Sequence, residues 1–190
     1  MDKVLDTASY GISLFSLGIL DKFLKEKRII TKELLDYFQD NHDIYIEMIS
    51  KGIWLPCVGI NSVEYVLKLD GYDESFSSDW EEKFKYDNFN MDVIDYLWIT
   101  DIGKFLNFDK NKFLENSILS YQTLDGCTIY NGFKYKMPSG KYSVSIRGYT
   151  RREKLDFPEV NLGFYFTFTK VDNFSDFNDP REIAKYNFKL

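Results

Sequence analysis

Apolar residues change their spacing near residue 53, and this change constrains the fold more than any other feature of the chain. Before it, Leu5, Ala8, Ile12, Phe15, Ile19 and Phe23 recur at steps of three and four, the stripe of an amphipathic helix. Leu14, Leu17, Leu20 and Leu24 form a second stripe beside the first, which predicts a helix packed on two sides. Asp2 and Asp6 near its start, and Lys22, Lys25, Lys27 and Arg28 near its end, complement a helix dipole. Thr31 is the expected cap of a second helix carrying Leu34, Leu35 and Phe38. Asp43 is the expected cap of a third, running through Ile44, Met48 and Ile49 and stopping at Gly52. After Ile53-Trp54-Leu55-Pro56 the period becomes two: Val63, Tyr65, Leu67 and Leu69 alternate with Glu64, Lys68 and Asp70, as in a half-buried strand.

From Met91 to Phe105 apolar side chains occupy both alternating faces, which reads as a strand inside a sheet, with a short helix as the alternative. Phe133 and Tyr135 precede the turn signal Pro138-Ser139-Gly140-Lys141, and Tyr142, Val144 and Ile146 then alternate with polar residues, so a hairpin is predicted there. Leu162 to Val171 reads as a last strand with Phe164, Phe166 and Phe168 on one face. The polar stretch Asp172 to Asn178 reads as a loop into a turn of helix around Arg181 to Tyr186. There is no internal repeat and no linker rich in Gly, Ser or Pro. The expected fold is therefore one α+β domain over residues 1–190, with a helical part over 1–52 and a β-rich part over 53–190. N-terminal helices are followed by a mainly antiparallel β-sheet or sandwich.

The net charge of -6 repels phosphate backbones, so no nucleic acid is expected as partner and a basic protein is the natural complement. The apolar stretch Ala8 to Leu20 is too short and too often interrupted by Ser and Gly to cross a bilayer, and the start lacks the basic region of a signal peptide. No membrane partner and a cytoplasmic location are expected. His42 is the only histidine, expected to be exposed between two helices, and Cys57 and Cys127 are expected as two buried reduced thiols. No phosphate-binding glycine loop and no nucleophile elbow occurs, so the chain is read as having no catalytic residues, no metal site and no cofactor.

Charge and aromatic content point instead to binding. Asp70, Asp73, Glu74, Asp79, Glu81 and Glu82 accumulate with no Lys or Arg among them and enclose Tyr72, Phe76 and Trp80. Aromatic anchors ringed by carboxylates suit a basic protein surface. The plain alternative is a solvated connecting loop, and the spacing does not match a calcium-binding loop. A basic segment, Arg147, Arg151, Arg152 and Lys154 around Tyr149, stands opposite and could hold a partner or pair with the acidic loop inside the fold. Aromatic residues make up 18% of the chain, more than one core requires, so some rings are expected at the surface.

The strand pair Tyr142-Ser143-Val144-Ser145-Ile146-Arg147-Gly148-Tyr149 and Asn161-Leu162-Gly163-Phe164-Tyr165-Phe166, with the acidic aromatic loop, resembles the small acidic immunity proteins that bacteria encode beside polymorphic or contact-dependent inhibition toxins. The resemblance is one of style and carries no residue-by-residue motif. It implies a bacterial, cytoplasmic, catalytically inert protein that neutralises one cognate toxin, a basic domain such as a nuclease, by covering a surface of it. Asp70, Tyr72, Asp73, Glu74, Asp79, Trp80, Glu81 and Glu82 would then make the contact. Two other classes stay open: a small-molecule or carbohydrate-binding β module, and an unrecognised enzyme.

Overall fold

A computed structural model describes residues 2–190. Ten strands build two five-stranded sheets. The first sheet has the order β1 (Lys3–Asp6), β4 (Glu64–Leu69), β10 (Leu162–Val171), β9 (Gly140–Arg151), β5 (Trp80–Val93). The second has the order β3 (Trp54–Val58), β2 (Gly11–Phe15), β6 (Tyr96–Asp101), β8 (Thr128–Lys136), β7 (Ile118–Gln122). Every neighbouring pair is antiparallel except β4 and β10, which run parallel. The inner faces share one core, in which Leu67, Val144, Ile146, Phe164 and Phe166 of the first sheet meet Ile12, Leu14, Leu55, Leu97 and Ile99 of the second.

A third layer covers the back of the second sheet. Helices α1 (Leu17–Glu26), α2 (Leu34–Asp40), α3 (His42–Ser50) and α4 (Lys110–Glu115), with the 3₁₀ turn Ile102–Phe105, bury Leu20, Phe23, Phe38, Met48, Phe105 and Phe113 against Phe15, Trp54 and Trp98. Among the described residues the buried helix side chains all pack behind the second sheet, and no helix covers the outer face of the first.

The mixed α+β content and the switch to strands follow the sequence pattern, but the order of elements does not. The predicted helix over the first stretch is instead strand β1, strand β2 and the shorter helix α1, so strands precede helices. The reason lies in β2, which is buried at every position: Ile12 and Leu14 face the sandwich core while Phe15 faces the helical layer. A strand buried on both faces shows no period of two, and its apolar run imitates a helical stripe.

The predicted hairpin between Tyr135 and Tyr142 is also absent, because β8 pairs with β6 and β7 whereas β9 pairs with β10 and β5. Pro138 to Gly140 reverses the chain between the two sheets, held by Met137 N–H donating to the Asp95 carbonyl at 2.8 Å and Tyr142 O–H donating to the Pro138 carbonyl at 2.6 Å. Turn residues specify the reversal and not the partner strand.

Met91 to Phe105 is split among the end of β5, β6 and the 3₁₀ turn, with Asp95 at φ 61° between the strands. Arg181 to Tyr186 forms consecutive turns, Lys185 N–H and Tyr186 N–H both donating to the Glu182 carbonyl, and not a helix.

Neither Thr31 nor Asp43 takes the N-cap position expected of it. Glu33 caps α2, its N–H donating to the Thr31 hydroxyl at 3.1 Å, and Asn41 caps α3 while Asp43 lies in its first turn. Gly52 ends that helix region at φ 68°, and a Cβ there would come within 2.8 Å of the Met91 and Asp92 backbone, so only glycine fits. Cys57 is buried, but Cys127 is exposed on the β7–β8 turn, contrary to the expectation of two buried thiols.

Candidate functional site

The acidic aromatic segment begins where β4 ends. Tyr72 N–H and Asp73 N–H both donate to the Leu69 carbonyl, and the Asp73 carboxylate accepts from Leu69 N–H at 2.9 Å, so Asp73 is spent on closing this turn. The chain then lies across the uncovered outer face of the first sheet. Phe76 rests on Gly163 of β10, where a Cβ would come within 2.4 Å of the ring. Its centroid is 4.6 Å from both Trp80 and Tyr149. Arg151 lies 4.7 Å over Trp80, and the Lys68 ammonium lies 5.1 Å from the Phe76 centroid.

This stack places the sequence-predicted anchors unequally. Trp80 is only 8% exposed, covered by Phe76 and Arg151, whereas Tyr72 is 48% exposed and meets Tyr135 edge-on.

The charges are placed unequally too. Glu82 accepts from Tyr149 O–H at 2.8 Å and stands 3.8 Å from Arg147. Asp70 accepts from Tyr165 O–H at 3.0 Å, and Glu81 pairs with Lys83 at 2.5 Å. Arg152 donates its backbone N–H to the Asp79 carbonyl and its Nε to the Ser78 carbonyl, and the Asp79 carboxylate accepts from the Ser77 hydroxyl at 3.2 Å. The acidic and basic segments therefore fold against each other. Burial pushes the Tyr149 and Tyr165 hydroxyl pKa values up, and the carboxylates of Glu82 and Asp70 that accept from them push further in the same direction. Glu74 is the one acidic side chain of the segment without a partner among the described residues.

Two other groupings were not singled out in the sequence. Glu33, Asp36, Asp40 and Asp43 on α2 and at its junction with α3 are exposed, and none has an ion pair among the described residues. The stretch Glu33 to Asp43 contains no Lys or Arg, which was the available signal.

The second grouping gathers Asp6, Glu64, Asp101 and Lys104 at one end of the sandwich, where Asp6 and Glu64 are cross-strand partners. Asp101 is 5% exposed and accepts from Gly103 N–H at 2.7 Å and Ser9 N–H at 3.0 Å. Burial, and then the charge of Asp101, hold the Asp6 carboxyl above its usual range. Burial, and then Asp6, do the same to Glu64. Burial lowers the Lys104 pKa against the opposing pull of Asp101. Residues so distant in sequence give no local signal.

His42 opens α3 exposed, its ring 6.2 Å from that of Tyr45 and its Nδ1 3.3 Å from the Arg181 guanidinium. Among the described residues no group of three or more His, Cys, Asp or Glu is placed to hold a metal ion, and no helix is long and apolar enough to cross a membrane. Comparisons with protein-family models, with curated proteins and with solved structures found no match to this chain.

Proposed function

We propose that the chain is a binding protein of the immunity type, neutralising a cognate toxin domain by covering part of its surface. The observation that carries this reading is the outer face of the first sheet. It is a strand surface left without a helical layer, with the Phe76, Trp80 and Tyr149 stack at the end where Trp80 pairs with Arg151, and Tyr165 on the same face. Aromatic rings held in one geometry by paired charges offer contact area at little cost in side-chain entropy. Because most carboxylates of the 70–82 segment are already paired, this face supplies shape and stacking. The unpaired acids Glu33, Asp36, Asp40 and Asp43, on the opposite layer, add to the long-range field that attracts a basic partner.

The test is co-expression with the proteins encoded beside this gene, one of which should be a toxin domain that this chain neutralises, with association and dissociation rates measured at two salt concentrations. Tyr165→Ala and Tyr149→Ala should mainly speed dissociation, and Asp36→Lys with Asp40→Lys should slow association in low salt. Full toxicity in the presence of the wild-type chain would remove the reading. Wild-type dissociation of both tyrosine variants would remove this face from it.

A further inference from the structure

The two sheets end in four edge strands, β1 and β5 in the first and β3 and β7 in the second. An open edge is a row of unpaired backbone groups, and proteins blunt it with charge, proline, irregularity or a covering segment. Three of these edges are blunted. β1 is short and carries Lys3 and Asp6, and β3 is buried from Trp54 to Cys57 and contains Pro56. β5 carries Glu81, Glu82, Lys83, Lys85 and Asp87 and breaks register twice. The C-terminal segment also closes β5, Asn178 Nδ2 donating to the Asp87 carbonyl at 3.1 Å and Asn90 Nδ2 to the Asp176 carbonyl at 2.9 Å.

β7 has none of these defences. No charged residue and no proline occurs from Asn116 to Leu124. β7 pairs with β8 alone, and the extra residue at the irregularity of that ladder, Asn131, belongs to β8, so β7 itself stays regular. Thr123 N–H donates to the Cys127 carbonyl, and the Ser117 carbonyl accepts from Lys134 N–H. These two bonds set the phase of the ladder: Leu119 and Tyr121 turn their N–H and C=O groups toward β8, whereas Ile118, Ser120 and Gln122 turn theirs outward. Among the described residues no backbone group meets those three from the outer side. Exposed large apolar side chains collect on the same hairpin, with Ile118 and Tyr121 on β7, Tyr130 on β8 and Leu124 at the turn between them.

We propose that β7 is the contact of a symmetric homodimer, in which two copies join antiparallel along this edge with Ser120 on the two-fold axis and their second sheets merge into one. In that register Ser120 faces Ser120 of the partner subunit and Ile118 faces Gln122 of the partner subunit, so the outward N–H and C=O groups at all three positions are paired. On the other face of the strand Tyr121 meets Leu119 of the partner subunit, apolar against apolar, in a pair of the kind that brings side chains closest. Charge selects a second copy over a charged partner. Two chains of net charge -6 repel, and an uncharged strand is where they meet without opposed carboxylates. Burial, and then Asp6, Asp101 and Glu64, push the Tyr121 hydroxyl pKa up, but none of these acids stands on the strand, and Lys104 lies beside Asp101 and Asp6. One short strand from each copy makes a small interface, so the dimer is a weak one, with a Kd on the order of tens to hundreds of micromolar.

The experiment is sedimentation equilibrium of the full chain in reductant, from about 10 μM to about 1 mM. The average mass should climb from that of one chain toward that of two. Ser120→Lys sets two ammonium groups against each other on the axis and should weaken association by about tenfold or more. Gln122→Pro removes an N–H that points away from β8 and should do the same. Both variants should melt near the wild-type temperature, and the lysine variant carries the test if proline disturbs the hairpin. In a Cys127→Ser background, Ser120→Cys should join two chains by a disulfide on oxidation, whereas Thr128→Cys, set back on β8, should not. A mass of one chain throughout overturns the proposal, as does a dimer that Ser120→Lys leaves intact or a Ser120→Cys variant that fails to cross-link. The aromatic face belongs to the first sheet and β7 to the second, so Ser120→Lys should neutralise as the wild type does and the two readings fail separately.

Discussion

The ring of Phe76 occupies the space in which a side chain on Gly163 would begin, a Cβ there falling within 2.4 Å of it. This single approach seats the 70–79 loop on the outer face of the first sheet. It brings Phe76 to 4.6 Å from both Trp80 and Tyr149, and it converts an acidic loop and a basic strand end into one packed surface.

Gly163→Ala should therefore expel Phe76 and loosen the loop, destabilising the chain by about 1–3 kcal/mol as an overpacked site does. Phe76→Ala alone should cost a comparable amount through lost ring contacts. In the double variant the two costs should not add, because the ring that clashes is the ring that was removed. Urea unfolding of the four proteins gives the coupling, and strict additivity would show that the loop is held elsewhere.

The Trp54 indole N–H donates to the Ser13 hydroxyl at 2.9 Å, and both side chains are buried between the second sheet and the helices. Ser13→Ala leaves that donor without a partner in an apolar layer, where nothing else replaces the bond. A loss of about 1–3 kcal/mol in unfolding free energy is expected. A loss near zero would mean that another acceptor or a water reaches the indole.

Asp6 is held above its usual pKa, first by burial and then by Asp101. With the folded pKa above the unfolded one, the native state binds more protons in the window between them, so this group's contribution weakens as pH rises through the window. At neutral pH it is a liability. Asp6→Asn should raise the melting temperature at pH 7, and the advantage should shrink as the pH falls below the folded pKa. Glu47 has the opposite sign: hydrogen bonds from Lys27 and then Lys51 hold it below its usual range. Its stabilisation, present above the unfolded pKa of about 4.5, is lost as pH falls through the lower folded value. Glu47→Gln should cost about 0.5–1 kcal/mol at pH 7 and less in acid. Melting curves from pH 3 to 8 read both slopes.

Cys127 is exposed and Cys57 is fully buried, with burial pushing the Cys57 thiol pKa up. A thiol reagent should therefore label one cysteine in the native protein and a second only on unfolding. Two labels at equal rates under native conditions would contradict the packing of β3.

What the sequence determined by itself were the elements with one buried face or a clear punctuation. Alternation marked β4 and β10, the apolar turns of α2 and α3 were legible with their stop at Gly52, and the mixed α+β content followed. These signals are local, because a half-buried strand or helix writes its period into adjacent residues. The tertiary structure decided everything that depends on which surface lies opposite. β2 reads as a helix because two cores claim its two faces, and Pro138 to Gly140 reads as a hairpin although its flanking strands belong to different sheets. The same holds for the candidate sites. The segment Asp70 to Glu82 stood out as charged and aromatic, yet only the fold showed that Tyr165, Leu69 N–H, Ser77, Lys83, Tyr149 and Arg147 take up most of its carboxylates and that Phe76 and Arg151 cover Trp80. Ile118, Ser120 and Gln122 are ordinary one by one, and become a free edge because β7 pairs on one side only. Long-range pairing is set by the burial of whole faces against each other, a property no short window of residues contains.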